Sequence, residues 1–204
     1  MGGRRVRGVV FDVGNVIVRW DPRTLYSKIF PDPGERDWFL ANVCTTAWHT
    51  RTDAGVSFAE NGRELAARFP EHEAAIRAWR ERWWEMFSGP IPETEAVIED
   101  LAVRGVPMFG LSNMSAETVE GTLAMSPAFA RLTELIVSGR EGLMKPDPRI
   151  FELTAQRAGL APAELLFVDD SAINVGAAAA VGFDIHHFSD PAALRPALAQ
   201  RGLL

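Results

Sequence analysis

Short runs of apolar residues recur along this chain, and polar or glycine-containing residues follow each run. The first run opens at Val6, is interrupted by Gly8 and leads to Asp12, a pattern typical of a buried parallel strand that ends on a carboxylate. Four further runs are predicted as strands, over 106–111, 135–138, 165–168 and 183–188. Because helical patterns separate these runs, the sequence predicts an α/β fold with a doubly wound (Rossmann-like), parallel, five-stranded sheet.

The segment 20–88 has a different pattern, because helical spacing replaces the strand-like runs there. This segment contains all six tryptophans. Two helices are predicted within it, over 58–69 after a capping box and over 71–87. We interpret 20–88 as an inserted helical domain and 1–19 with 89–204 as the α/β core. The tryptophans are interpreted as bulky residues of a small core rather than as a dedicated aromatic binding site, an interpretation that leaves open that some of the rings line a pocket.

Helices and one loop are also predicted between the strands of the core. The predicted helices cover 94–104, a segment capped by Ser115, a segment with Pro146 and Pro148 in its first turn that ends near Gly159, and 172–181. The glycine-rich segment 139–142 is predicted as a loop. This alternation of strand and helix is what predicts right-handed crossovers between parallel strands.

The charge and cysteine content restrict the classes of partner. The net charge is -6 and no basic block is present, which argues against binding to nucleic acid or to an anionic membrane surface. No apolar stretch is long enough to span a bilayer, and Cys44 is the only cysteine, so an internal disulfide is excluded. We therefore expect a cytoplasmic protein that acts on a small molecule. The sequence does not predict an oligomeric state.

Polar residues with possible chemical roles stand at or just beyond the predicted strand ends: Asp12, Ser112, Lys145, Asp169 and Asp170. Taken singly, each aspartate is explained by helix capping, Ser112 by a turn, and Lys145 by an ordinary solvated surface position. The carboxyl ends of parallel strands meet at one edge of a sheet, where α/β proteins bind their ligands. Three neighbouring carboxylates repel one another strongly unless a cation lies between them, which indicates a metal site.

In this order and spacing, the residues resemble the haloacid dehalogenase-like (HAD) hydrolase superfamily. The first motif matches FDVGNV, the second LSN, the third MKPDPRIF and the fourth LLFVDDSAINV. The resemblance extends over essentially the whole chain, because the helical insertion matches the cap of the subgroup whose cap lies between motifs one and two. The chain is also similar to bacterial sugar-phosphate phosphatases that have an FDxGNV loop.

The resemblance implies a phosphatase that acts on a small phosphorylated metabolite, such as a sugar phosphate. It implies that Asp12 is the nucleophile and forms an aspartyl-phosphate intermediate. Ser112 is implied to hold a transferring oxygen, and Lys145 to neutralise charge on the nucleophile and the phosphoryl group. Ser112, Asn113 and Lys145 are the implied substrate-binding residues.

The resemblance also implies Mg²⁺ as the cofactor. The expected ligands are Asp12, Asp170 and the main-chain carbonyl of Gly14, because Mg²⁺ prefers a few protein oxygens together with phosphate and water. Asp169 is expected to act through a bound water molecule or through the ligands themselves. Asn174 matches the family's last acidic position without its charge, and its place on a helix points it back toward the site.

One position departs from the pattern of the family's phosphatases. These enzymes usually have a second aspartate two residues after the nucleophile, which protonates the leaving group and later activates water, and Gly14 stands there instead. General acid-base catalysis typically contributes ~10² to 10⁴ in rate, so the loss slows the enzyme or requires a replacement. The candidates are Asp21, His49, Asp53 and a metal-bound water, and the sequence does not choose among them.

Two alternative functions remain open. A 2-haloacid dehalogenase would use Asp12 as nucleophile and needs no proton donor, and Arg51 is the candidate halide-binding residue. Against it, dehalogenases that resemble this chain work without metal, lack the Asp169-Asp170 pair and tend to have an aromatic residue in place of Gly14. The second alternative is a binding protein that retains the fold without activity, and Gly14 alone supports it.

Overall fold

The residues described in the computed structural model, 5–204, contain seven strands in two sheets, and residues 1–4 of the predicted core segment 1–19 lie outside that range. The strands are β1 (Gly8–Phe11), β2 (Val18–Trp20), β3 (Phe87–Pro90), β4 (Met108–Ser112), β5 (Glu134–Val137), β6 (Leu165–Asp169) and β7 (Asp184–His187). Five of them form one parallel sheet in the order β5-β4-β1-β6-β7. The predicted parallel five-stranded sheet is therefore confirmed, with β1 at its centre.

The helices of the core alternate with these strands, and a group of helices lies between β2 and β3. The helices are α1 (Pro22–Tyr26), α2 (Pro33–Asn42), α3 (Thr46–Asp53), α4 (Phe58–Arg68), α5 (Glu73–Glu81), α6 (Pro92–Val103), α7 (Val119–Leu123), α8 (Ser138–Glu141), α9 (Pro148–Ala158), α10 (Ala172–Val181) and α11 (Pro191–Gln200). Across the residues described, no helix combines the length and the apolar content that crossing a membrane requires. The expected cytoplasmic location stays a prediction.

Both faces of the five-stranded sheet are covered by helices. Successive side chains of a strand point to opposite faces, so Val9 and Phe11 pack in one cluster with residues of α6 and α11. Val10 packs on the other face, with residues of α9 and α10. Each such fully buried side chain contributes about 1.5–3 kcal/mol relative to an exposed one. This arrangement confirms the doubly wound α/β fold and explains why the strands are apolar throughout.

The helical insertion, residues 22–86, has a hydrophobic core of its own. Trp48, Trp79 and Trp83 are buried there, while Trp38 and Trp84 are exposed. The interpretation of the tryptophans as core residues therefore holds for these three buried rings. The predicted division into 1–19 with 89–204 and 20–88 stays a prediction, as does the identification of the insertion as a cap.

The insertion is connected to the core by a short antiparallel ribbon, which the sequence does not predict. Strand β2 pairs with β3, with Val18 opposite Pro90 and Trp20 opposite Phe87. The helix predicted over 71–87 is consequently wrong at its C-terminal end. Helix α5 ends at Glu81, a 3₁₀ turn follows over Trp83–Met86, and the chain then becomes extended because it pairs with β2.

Two predictions within the core also need correction. The predicted loop 139–142 is largely helical: α8 covers Ser138–Glu141 and ends at Gly142, which has a left-handed conformation. Glycine is needed at position 139 for another reason, since a Cβ atom there would lie 2.7 Å from the main-chain nitrogen of Ala116. Helix α9 begins at Pro148 with Asp147 as its N-cap, so Pro146 lies outside the first turn.

Candidate active site

Three adjacent strands bring the predicted site residues together at the carboxyl edge of the sheet. Strand β1 lies between β4 and β6, so Asp12, which follows β1, lies between Ser112 at the end of β4 and Asp169 at the end of β6. The main-chain hydrogen bonding between β1 and β6 continues past the end of β1, because the N–H of Asp12 donates to the carbonyl of Val168 at 2.8 Å. The strand pairing therefore fixes the position of Asp12.

Asp12 and Ser112 line a cavity of about 270 Å³ between the core and the helical insertion, and Asp169 contacts Lys145 in its wall. Its wall includes Asp12, Gly14, Ser112 and Lys145 from the core. A larger cavity, of about 460 Å³, lies within the insertion beside α4 and α5, and none of the predicted site residues lines it. We take the smaller cavity as the candidate active site because the predicted chemical groups converge there.

Lys145 is fully buried, in contrast to the solvated position expected of it when taken alone. Its Nζ lies 2.9 Å from Asp12 Oδ1 and donates to Asp169 Oδ2 at 2.7 Å and to the Leu111 carbonyl at 2.9 Å. Burial lowers the pKa of Lys145, but the two carboxylates outweigh burial and raise the pKa above its ordinary value. The ammonium group is therefore charged and fully hydrogen-bonded.

The pKa of the Asp12 carboxyl group is raised in this geometry. Burial, reinforced by the negative charge of Asp169, raises the pKa of Asp12 to about 7 although Lys145 opposes that change. One ammonium group cannot fully neutralise two buried carboxylates. Oδ1 of Asp12 also accepts from the Val13 N–H at 2.7 Å, while Oδ2 has no hydrogen-bond partner within the part of the chain described.

Asp169 is completely buried, and both of its oxygens are occupied by donors. Besides Lys145, it accepts from the Ser171 N–H at 2.7 Å and from the Asn174 side-chain amide at 3.1 Å and 3.2 Å. Asn174 thus points back toward the site, as expected from its position on α10. These contacts orient Asp169 toward Lys145 and leave Asp170 as the more accessible carboxylate.

The acidic residues fit a divalent cation. Carboxylate oxygens of Asp12, Asp169 and Asp170 lie within 4.8 Å of one another. The Gly14 carbonyl accepts no hydrogen bond from any described residue, and it adds a neutral oxygen to the same edge. Three carboxylates against the one ammonium of Lys145 leave an excess of negative charge, and an oxygen-rich, negatively charged donor set is what Mg²⁺ prefers.

Asn15 connects the loop after β1 to Asp170 and to the ribbon. It has a left-handed conformation with φ 57°, the only non-glycine residue of the described chain with a positive φ. Its Oδ1 accepts from the Trp20 N–H at 3.0 Å, and its side chain also hydrogen-bonds to Asp170. Asn15 therefore combines a turn conformation with a positioning role for the acidic cluster.

Two further predicted residues lie on the β4 side of the cavity. The Ser112 hydroxyl makes no hydrogen bond to the described residues, so it is available to a ligand. Asn113 uses its side chain to hold the loop of Lys145: Oδ1 accepts from the Lys145 N–H and Nδ2 donates to the Lys145 carbonyl, both at 2.8 Å. A contact between Asn113 and substrate stays a prediction.

The candidates for the missing acid differ in location. Asp21 caps α1 and pairs with Arg23 at 2.7 Å, and it does not line the cavity. His49 and Asp53, both from α3, do line it. Burial lowers the pKa of His49 to about 4 and raises the pKa of Asp53 to about 7. Their nearest nitrogen and oxygen are 3.7 Å apart, too far for a hydrogen bond, and the lowered pKa of His49 disfavours an ion pair with Asp53.

Aromatic rings form part of the cavity wall, as the sequence allowed for some of the tryptophans without indicating which ones. Trp20, Trp83 and Phe87 line the cavity beside His49, and the rings of Trp20 and His49 stack at a centroid distance of 5.5 Å. Of the described residues that line it, Lys145 alone carries a cationic side chain. Arg51, the candidate halide-binding residue, instead pairs with Glu64 at 2.8 Å and is exposed. The spacing of tryptophans could not indicate which rings face a ligand.

Several known proteins are similar to this chain. A sesquiterpene phosphatase of Aspergillus oryzae is 25% identical over 195 residues, which cover 90% of each chain. An (S)-2-haloacid dehalogenase of Pseudomonas sp. (strain CBS-3) is 28% identical over 196 residues, which cover 89% of this chain and 83% of the relative. Both alternatives considered for the reaction therefore occur among its relatives.

Solved structures share the fold at low sequence identity. A HAD family enzyme from Bacteroides thetaiotaomicron, determined as a magnesium complex, superposes with a TM-score of 0.69 at 17% identity and covers 91% of this chain and 93% of its own. A dehalogenase structure superposes with a TM-score of 0.72 at 18% identity, with 95% and 97% covered. The family model described as haloacid dehalogenase-like hydrolase matches residues 6–182. Because that match spans most of the chain, the protein belongs to the haloacid dehalogenase-like hydrolase family.

Proposed function

We propose that this protein is a Mg²⁺-dependent phosphatase that acts on a small phosphorylated metabolite through an aspartyl-phosphate intermediate on Asp12. The observation that carries the proposal is the cluster of Asp12, Asp169 and Asp170, whose oxygens lie within 4.8 Å of one another beside a single buried lysine. Such an excess of negative charge disfavours an anionic substrate unless a cation joins the site. Asp12, Asp170 and the Gly14 carbonyl are the proposed ligands of Mg²⁺.

The chain's own residues have separate roles in the proposed reaction. An oxygen of Asp12 attacks phosphorus, the bond to the leaving oxygen breaks, and water later cleaves the aspartyl phosphate. Lys145 favours the ionised, nucleophilic form of Asp12 and neutralises charge on the transferring group, while the free hydroxyl of Ser112 donates to a phosphoryl oxygen. Mg²⁺, when bound, supplies further neutralisation of the phosphoryl charge.

The shape and lining of the cavity restrict the substrate. A volume of about 270 Å³ suits a small organic monophosphate. Trp20, Trp83 and Phe87 favour a leaving group that presents an apolar or ring face to them. Sugar phosphates remain within this class, because a pyranose ring also presents C–H groups that pack on aromatic rings.

Dehalogenation is the second candidate, and Gly14 is the observation that favours it, because a halide leaves without a proton. Two features of the site count against it. Asp170 adds a third carboxylate within 4.8 Å of Asp12 and Asp169, which disfavours an anionic 2-haloacid in the absence of a cation. Arg51 pairs with Glu64 outside the cavity and does not provide a halide site there.

The test is phosphate release from a panel of sugar phosphates and 4-nitrophenyl phosphate, with Mg²⁺ and with a chelator. We expect turnover that requires Mg²⁺ and falls by at least about 10³-fold in Asp12→Asn, because the amide is not a nucleophile. Asp32→Asn is the matched control, since Asp32 caps α2 and does not line the cavity. Chloride release from a 2-chloroacid without metal, together with no phosphate release, would refute the proposal.

A further inference from the structure

Asp53 is a buried acid for which the mechanism above has no use. It is the last residue of α3, is 7% exposed and lines the same cavity as Asp12 and Ser112. Its Oδ1 is inaccessible to solvent and has no hydrogen-bond partner. A buried carboxyl oxygen without a partner destabilises the fold, so its presence beside a reaction site calls for an explanation.

The main chain at Asp53 is fixed to the core. The Ser138 hydroxyl donates to the Asp53 carbonyl at 2.7 Å and accepts from the Met114 N–H at 3.0 Å. Five residues further along the insertion, the N–H of Phe58 donates to the Glu117 side chain at 2.9 Å. The insertion is therefore anchored on both sides of the turn that follows Asp53, which fixes the main chain of Asp53 in the wall of the cavity that Asp12 also lines.

The surroundings of Asp53 raise the pKa of its carboxyl group, so the group stays protonated at higher pH than an exposed aspartate does. Burial raises its pKa to about 7, and the positive charge of Lys145 opposes the rise. His49, on the same helix, is neutral near pH 7 because burial lowers its pKa to about 4. A carboxylic acid whose pKa lies near neutral pH is suited to give up a proton and to regain it.

The opposite wall leaves space for a leaving group. A Cβ atom at Gly14 would meet nothing within 4 Å, and Gly14 has no positive φ, so the region where the family's second aspartate would stand is open. A substrate held on Asp12 can therefore extend toward α3 and the aromatic wall. The proton donor of this chain is then expected on the insertion rather than on the loop after β1.

We propose that Asp53 is the general acid that replaces the aspartate absent at position 14, a role that rests on the proposed phosphatase function. As the oxygen of Asp12 bonds to phosphorus and the bond to the leaving oxygen breaks, the Asp53 carboxyl proton passes to that oxygen, which departs as an alcohol. The Asp53 carboxylate then takes a proton from water while the water oxygen attacks the aspartyl phosphate. This step releases phosphate, restores the Asp12 carboxylate and returns the proton to Asp53.

The experiment compares two substrates of similar shape whose leaving groups differ in basicity. Benzyl phosphate must expel a basic alkoxide unless a proton is supplied, whereas 4-nitrophenolate leaves without one. We measure kcat/KM for wild type and Asp53→Asn. This ratio reports the steps up to transfer of the phosphoryl group onto Asp12. We expect Asp53→Asn to lower kcat/KM by about 100-fold for benzyl phosphate and by less than about tenfold for 4-nitrophenyl phosphate.

The control is Asp21→Asn, a substitution at the candidate that lies outside the cavity, and it is expected to affect both substrates equally and weakly. A structural role for Asp53 would lower kcat/KM for both substrates by the same factor, and that result would overturn the inference alone. Wild-type turnover of 4-nitrophenyl phosphate without turnover of benzyl phosphate would also overturn it, because an enzyme with a proton donor cleaves both. No phosphate release by the wild type would instead overturn the proposed function, and the role of Asp53 with it.

Discussion

Replacement of Asp53 by Asn is expected to change the stability of the protein by an amount that grows with pH. Folding raises the pKa of this carboxyl group from 3.8 to about 7 because the group is buried. The folded state then holds the proton more tightly than the unfolded state, so ionisation of Asp53 destabilises the fold as the pH rises above 3.8. The full cost, reached above about pH 7, is roughly 4 kcal/mol, since each pKa unit corresponds to about 1.4 kcal/mol.

The asparagine variant retains the shape of the side chain and has no proton to lose. Its free energy of unfolding relative to wild type should therefore rise by roughly 2–3 kcal/mol between pH 5 and pH 8, the part of the cost that falls in this range. Urea denaturation followed by tryptophan fluorescence at several pH values measures this difference. The six tryptophans, several of them in the insertion core, supply the signal.

Asp21→Asn is the matched control for this stability experiment. Arg23 hydrogen-bonds to Asp21 and lowers its pKa even though partial burial acts in the opposite direction. The stabilisation from an acid with a lowered pKa is complete above 3.8 and is lost only in more acidic solution, so this variant should differ from wild type by a constant amount between pH 5 and pH 8. A pH-independent difference for Asp53→Asn as well would refute the buried, protonated state assigned to Asp53.

The remaining predictions concern the other side of the cavity. Lys145→Met leaves Asp12 and Asp169 buried without their cation, so we expect a loss of about 3–5 kcal/mol in urea denaturation at pH 7 together with loss of phosphate release. Unchanged stability would show that the ion pairs do not form. Gly14→Asp places a carboxyl group in open space, and in the Asp53→Asn background we expect it to raise kcat/KM for benzyl phosphate by about tenfold or more. No gain would mean that position 14 does not face the leaving group.

The site could be predicted from sequence to the extent that strand ends determine it. Asp12, Ser112 and Asp169 each follow or end an apolar run, and the parallel sheet brings such ends to one edge whatever the loops do. The burial of Lys145 could not be predicted in this way. It depends on the loop before α9 and on the Asn113 side chain that holds it, which are tertiary contacts over long sequence separations.

Prediction from local sequence patterns also failed for short segments whose structure depends on contacts with residues distant in sequence. Strands β2 and β3 have three and four residues, too short for an alternating pattern to be distinguished from a loop or a helix end. The glycines at 139 and 142 resemble a loop, although one permits a close approach of α8 to the main chain at Ala116 and the other ends the helix. Which of Asp21, His49 and Asp53 line the cavity depends on the orientation of α3, which packing determines.

The β2–β3 ribbon makes the helical insertion an exchangeable module. Val18 and Pro90 lie opposite each other, so the chain leaves the core and returns to it at neighbouring points. A segment whose ends are already adjacent can be lengthened, shortened or replaced at little cost in loop-closure entropy. The hydrogen bond from the residue-20 N–H to Asn15 is the constraint that a replacement must keep, because it joins the ribbon to the loop after β1. Substrate range can therefore diverge within this architecture while the carboxyl edge of the sheet, with Asp12 and Asp169, stays the same.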